Sequence, residues 1–268
     1  MTLPCTDPPQ MTEHAMSRLP IALALAASLA LPGAAAAQSA FDPAGMTPEQ
    51  REAFRAEIRD YLLDNPEIIV EAIQVLEQRR QAETEASDQS RVAEHAQALF
   101  DDGFSYVAGN PEGDVTIVEF FDYRCGFCKR AHPVMEKLLE EDGNIRVVFK
   151  EFPILGPQSV MAGRMALAAL DIAPENYMAL HEALMTHRGE LTEVAAYRMA
   201  KEAGYDIAEL KARKDAPEIE ARLAETYELA EALGLQGTPS FVIGDQIVRG
   251  FLDYDAMVET VAEARAGE

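Results

Sequence analysis

Basic residues are in short supply. The 268-residue chain has 23 lysines and arginines against 46 aspartates and glutamates, a formal net charge of −23. Such a chain repels phosphate backbones and anionic lipid over any distance that salt leaves unscreened, so nucleic acid is excluded as a partner. Its acidity otherwise speaks to solubility and not to fold. Long apolar runs are missing too. A membrane helix needs about 20 apolar residues, and beyond residue 37 no stretch of that length is free of charge, so the mature chain is expected to be soluble. Internal repeats are absent, and low complexity is confined to an alanine-rich stretch near the start. Cysteine occurs only three times, too few for a disulfide-stapled scaffold or a four-cysteine zinc cage.

What is present begins with residues 20–37 (PIALALAASLALPGAAAA), which read as an export signal. Arg18 precedes an apolar run from Ile21 to Leu31, Pro32-Gly33 breaks it, and Ala35-Ala36-Ala37 offers a small-residue cleavage site before Gln38. Asp7 and Glu13 put negative charge where a signal wants positive, so translation is expected to start at Met16. Loss of residues 1–37 takes Cys5 with it and leaves a net charge of −22. Only Cys125 and Cys128 then enter an oxidising compartment, and each must answer to the other.

Residues 38–102 read as a helical arm. Thr47 is placed to cap a helix with Pro48 at its first position, and Phe54, Ile58, Tyr61 and Leu62 follow on one face. Asn65-Pro66 is expected to end that helix and cap the next, whose apolar face is Ile69, Ile73 and Leu76. Residues 77–98 are polar with scattered alanine, the pattern of an exposed helix or linker. Two short helices with one apolar stripe each need a partner, and self-association through residues 47–100 is expected.

From Gly103 strands and helices alternate. Val115 to Phe121 (VTIVEFF) and Ile145 to Phe149 are near-continuous apolar runs of strands covered on both faces, with a helix over 129–141 between them. A helical region runs from about Gln158 to Leu233. Ser240 to Ile243, a Gly244-Asp245 turn and Gln246 to Arg249 then form a hairpin, followed by a helix over 254–264. The fold class is therefore α/β.

The chemistry lies in Cys125-Gly126-Phe127-Cys128. Cysteines at i and i+3, directly after a buried strand and at the first turn of a helix, have Cβ atoms about 5 to 6 Å apart, close enough for a disulfide after small adjustments. Unpaired N–H groups and the positive end of the helix dipole favour an anion there. Cys125 is thus the expected nucleophile and exposed partner, and Cys128 the more buried resolving thiol. A purely structural bond is disfavoured, because closing so short a loop constrains the unfolded chain little. Zinc would need two more ligands, and His132 is alone nearby. Cu(I) held by two thiolates, in a protein that protects the envelope from metal stress, stays open as an alternative. His132, His181 and His187 read as surface or partly buried helix residues. Asp122 and Lys129 flank the pair with opposite charges.

The strings VEFFDYRCGFCKR, VFKEFPILGP and GTPSFVIG, in that order, resemble the DsbA family, in particular its Com1-like and ScsC-like members with a helical N-terminal segment. The resemblance implies a thioredoxin-like core over 103–268, interrupted by a helical insertion at about 157–234. It implies a periplasmic thiol–disulfide oxidoreductase or isomerase with no cofactor beyond a redox-active Cys125–Cys128 disulfide. Unfolded exported proteins are the implied substrates, and a membrane redox partner recycles the cysteines. It also implies that Thr238-Pro239 carries a cis bond beside the cysteines, presenting backbone to substrate, and that Glu119 is a buried charged residue able to relay protons. The central Gly126-Phe127 departs from the Pro-His of the best-known members. That removes a histidine that would stabilise the thiolate, so oxidation, reduction and isomerisation all stay open as directions.

Overall fold

Val115 to Phe121 alternates its side chains between two faces, and a sheet is assembled around it. The computed structural model describes residues 45–267; the expected signal segment and Met16 lie outside them. The chain divides into two units, one ending at Asn65 and one running from Pro66.

The first unit contributes α1 (Pro48–Asp64). Thr47 and Gln50 form a reciprocal capping box, with Pro48 at the first position, as the sequence indicates. Asn65 departs from expectation. Its side-chain amide donates to the Tyr61 carbonyl, 2.8 Å, so it closes α1 and leaves the next helix without a side-chain cap. No residue of α1 is buried, and Phe54, Ile58, Tyr61 and Leu63 are exposed.

The second unit opens with α2 (Glu67–Glu94) and α3 (Ala96–Phe100). Ile69, Val70, Ile73, Val75 and Leu76 are exposed along the first half of α2. The polar second half does not stay free. Asp88 and Val92 are buried, and Asp88 receives both terminal nitrogens of Arg249 at 2.7 and 2.9 Å. Sequence polarity masks this because the anchoring residue is itself an acid whose partner lies 161 positions away.

The sheet has the order β1-β3-β2-β4-β5. These strands are β1 (Tyr106–Gly109), β2 (Val115–Phe121), β3 (Ile145–Glu151), β4 (Ser240–Ile243) and β5 (Gln246–Arg249). Strands β2 and β3 are parallel, joined by α4 (Gly126–Glu141), and the other pairs are antiparallel. The β4–β5 turn places Gly244 at φ +59°, a left-handed backbone that a side chain at that position would resist. Residues Val115, Ile117 and Phe121 of β2 pack towards Cys125, Cys128 and Met135. Val118 and Phe120 pack on the other face with Leu99, Leu229 and Leu233. Because side chains alternate along a strand, Glu119 shares the face of Ile117 and Phe121, the face of the cysteines.

The helical insertion is made of five helices and a short 3₁₀ turn at Pro174–Asn176. They are α5 (Pro157–Ile172), α6 (Tyr177–Thr186), α7 (Glu193–Glu202), α8 (Ile207–Lys214) and α9 (Pro217–Ala232). Small residues of α5, including Ala162, Gly163 and Ala166, let it lie close to its neighbours. Helix α10 (Tyr254–Gly267) closes the chain. No helix among the described residues is long and apolar enough to cross a membrane.

Candidate active site

A buried strand that stops where a helix starts delivers a side chain to a helix mouth. Strand β2 ends at Phe121, and Cys125 is the N-cap residue of α4, in extended backbone at φ −72° and ψ 118°. The intervening loop is pinned by Asp122. One of its oxygens accepts from the Arg124 amide at 2.7 Å and the other from the Leu155 amide at 3.0 Å.

Both cysteines are free thiols. Cys125 keeps 7% of its surface exposed and Cys128 none, so the expected exposed partner is in fact mostly covered. The Cys125 pKa is lowered from the usual 9 to about 5. The largest cause is the Cys128 thiol, which donates to the Cys125 sulfur; the Thr238 side chain and the amides of Cys128 and Phe127 add donors, against a desolvation penalty. The Cys125 thiol donates to the Thr238 carbonyl, Sγ···O 3.1 Å. On ionisation that contact loses its proton, and the Thr238 hydroxyl is the group that can turn to the anion. Its Oγ1 is buried with no other partner. The Cys128 thiol is pushed far up, first by its bond to Cys125 and then by burial and the nearby Glu119 charge. The Thr238-Pro239 bond is cis, and this loop, directly before β4, lies against the Cys125 sulfur.

Glu119 is 3% exposed, and burial alone raises its carboxyl to about 8. It pairs in register with Phe149 on β3 and Phe241 on β4. Gly126 and Phe127 are exposed, Phe127 by 53%, at the lip of the site. Arg130 lays its guanidinium 4.2 Å from the Phe127 ring centroid and 5.2 Å from that of Phe251.

Asp122 and Lys129 are not the opposed pair that their flanking positions suggest. Asp122 is spent on backbone amides. Lys129 Nζ caps the end of α6, donating to the carbonyls of Leu184 at 3.3 Å and His187 at 2.5 Å. The histidines also differ from expectation. His132 and His181 are buried, their rings 5.4 Å apart, and burial with the neighbouring His132 holds His181 down to about 3, an uncharged imidazole at neutral pH. Among the described residues no cluster of three or more histidine, cysteine or acidic side chains is disposed to hold a metal.

One buried group escapes sequence reasoning altogether. Glu151, the last residue of β3, accepts from Tyr123 at 2.8 Å and Tyr177 at 2.9 Å, and the Tyr123 hydroxyl also lies 3.2 Å from His181 Nδ1. Burial raises Glu151 to about 8, the two tyrosines opposing it. Its only sequence signal is parity with Phe149 along β3.

Residues 116–262 match the DSBA-like thioredoxin domain family, and residues 50–83 match the family described as the copper resistance protein ScsC N-terminal domain. A thioredoxin-like oxidoreductase from Silicibacter pomeroyi is 44% identical; the match covers 63% of this chain and 97% of that one, with a TM-score of 0.61. A linker-deleted mutant of Proteus mirabilis ScsC is 30% identical, covering 85% of this chain and all of that one, with a TM-score of 0.64. The Na(+)/H(+) antiporter NhaA 1 of Salinispora arenicola is 29% identical over 164 residues, which make up 60% of this chain. That match spans 25% of the antiporter's length.

The raised Glu119 pKa has a stability consequence. A carboxyl that titrates near 4.5 unfolded and near 8 folded contributes stability that is complete below about 4.5 and lost as pH rises to about 8. Glu119→Gln removes that loss, so the variant is expected to be more stable than wild type by roughly 3 kcal/mol at pH 7 and to match it near pH 4.5. Denaturant unfolding at several pH values measures the difference.

Proposed function

Because the chain belongs to the DSBA-like thioredoxin family of thiol–disulfide oxidoreductases, with an ScsC-type N-terminal segment, we propose that it exchanges disulfides with exported proteins through Cys125 and Cys128 in the periplasm. The observation that carries this reading is the Cys125 sulfur set between the first amides of α4 and the Thr238-Pro239 loop, where the Cys128 thiol and these donors lower its pKa to about 5.

The steps follow from the two thiols. With the pair reduced, the Cys125 thiolate attacks one sulfur of a client disulfide, forming a mixed disulfide and releasing a client thiolate. Cys128 then loses its proton and attacks Cys125 Sγ, which releases the second client thiolate and leaves Cys125–Cys128 joined. Two electrons pass to the client, and the reverse sequence oxidises it. The mixed disulfide removes the hydrogen bond to the Cys125 anion, but burial still raises the Cys128 thiol and makes its deprotonation the demanding step. In this reading Glu119, buried on the same face of the sheet, exchanges protons with Cys128 during the cycle. The client backbone pairs beside Thr238 and Pro239, and Gly126-Phe127 forms the rim it crosses. A membrane redox partner restores the starting state.

The domain plan we propose is a signal segment over 1–37 cleaved near Ala37, a helical N-terminal arm over 38–102, and a thioredoxin-like domain over 103–268. The exposed apolar residues of α1, and those of the first half of α2, suit self-association. The competing reading, Cu(I) held by two thiolates, draws on the description of the family matched at 50–83.

Purified residues 38–268 are expected to reduce insulin or refold scrambled ribonuclease, Cys125→Ala to abolish both, and Cys128→Ala to accumulate mixed disulfides. An inactive protein that binds Cu(I) tightly overturns this reading in favour of the metal one. Light scattering is expected to report an oligomer for residues 38–268 and a smaller species for Ile58→Glu/Ile73→Glu; a monomer in both contradicts self-association.

A further inference from the structure

The acidity of the whole chain conceals a reversal at the site. Within five residues of the cysteines lie Arg124, Lys129 and Arg130, and among the described residues none of the three forms an ion pair with a carboxylate. Several bases elsewhere in the domain are instead neutralised by acids. Lys150, Arg164, Arg213, Arg222, Arg249 and Arg265 all pair with acids at 4 Å or less.

The three cations are nevertheless held in place. Arg124 Nη1 donates to the Leu155 carbonyl at 2.5 Å, Lys129 to the two carbonyls at the end of α6, and Arg130 rests on the faces of Phe127 and Phe251. Carbonyl dipoles and ring faces orient a cation without cancelling its charge. Acids also stand nearby: Glu119 is buried under the cysteines. Asp122 is buried with both oxygens occupied by backbone amides, and Glu190 accepts from Gln158 at 2.7 Å.

Two cavities lie among the residues around the cysteines. Arg124 and Lys129 line a cavity of about 440 Å³ together with Gln158 and Glu190. A second cavity of about 340 Å³ is lined by Gly237, Thr238, Pro239 and Gly250; the Thr238 carbonyl touches the Cys125 sulfur, and Gly250 is followed directly by the Phe251 that supports Arg130. Phe127 and Leu155, 53% and 45% exposed, add apolar surface. The thiolate itself is held by hydrogen-bond donors from Cys128, Thr238 and the α4 amides, so these cations are not needed for it.

We propose that this rim is a specificity surface for client segments whose cysteine is flanked by acidic residues. The inference rests on the oxidoreductase reading and adds the charge of the client to it. It runs against the field of the whole molecule: a net charge of −23 repels an acidic peptide at long range, whereas the rim attracts it at contact.

The test is single-turnover reduction, by the reduced chain from Gln38 onward, of three disulfide peptides identical except for flanking aspartates, serines or lysines. At low salt the aspartate peptide is expected to react about tenfold faster than the lysine peptide, and the ratio to approach one at high salt. Arg124→Gln/Arg130→Gln is expected to invert the ratio, because the acidic field then outweighs the remaining Lys129. Arg79→Gln/Arg80→Gln removes the same charge from exposed α2 and is expected to preserve it. A lysine peptide that reacts fastest with the wild type, or equal changes in the two double variants, overturns the rim assignment while exchange itself persists. No reaction with any peptide overturns the oxidoreductase reading and the rim with it.

Discussion

The structure depends on how a sulfur anion is solvated once water is removed. Cys125 is nearly buried, and burial alone would keep its proton on. The donors that replace water come from separate parts of the chain: the Cys128 thiol and two amides from the first turn of α4, and the Thr238 side chain from the loop before β4. Those parts meet because β2 lies between β3 and β4, so the residues after β2 and before β4 emerge at the same end of the sheet. Asp122 fixes the loop between strand and helix by accepting two backbone amides. Without that topology, a CxxC pair is only two cysteines on a helix.

The same interior holds acids that it stabilises less well. Glu119 and Glu151 both lie on the cysteine side of the sheet, and burial raises both to about 8. Glu151 has two tyrosine donors to offset part of that cost. Lys150, between them in register but on the opposite face, is matched by Asp102 at 2.5 Å and by the Ala98 carbonyl. Buried charges with close partners are structural in character, whereas Glu119, whose shift has burial as its cause, is the one suited to exchanging a proton with the thiol beside it.

How far this was legible in the sequence depends on where each signal resides. β2 and the β4–β5 hairpin are read with their full bounds, since continuous apolar runs and a Gly-Asp turn are local features. β3 reads two residues short because Lys150 and Glu151 look like a polar exit; their burial rests on Asp102, Tyr123 and Tyr177, residues far away in the chain. β1 is missed, being four residues with no buried member. The helical insertion is located by pattern, but its division into five helices turns on caps such as Thr192 and Asp206 that helical periodicity does not weigh. Cys125 and Cys128 are visible from spacing alone. Glu119, Thr238 and Pro239 enter only through family resemblance, and the cation rim appears only when the partners of each base are known.

The central claim is that the fold favours the Cys125 anion, and comparing the unfolding free energies of the dithiol and disulfide forms across pH tests it most directly. A thiol whose pKa falls from about 9 unfolded to about 5 folded contributes stability that is complete above 9 and lost as pH falls to 5, and only the dithiol form has it. The dithiol form is therefore expected to lose ground steadily against the disulfide form between pH 9 and pH 5. A difference between the two forms that stays constant over that range would contradict the account.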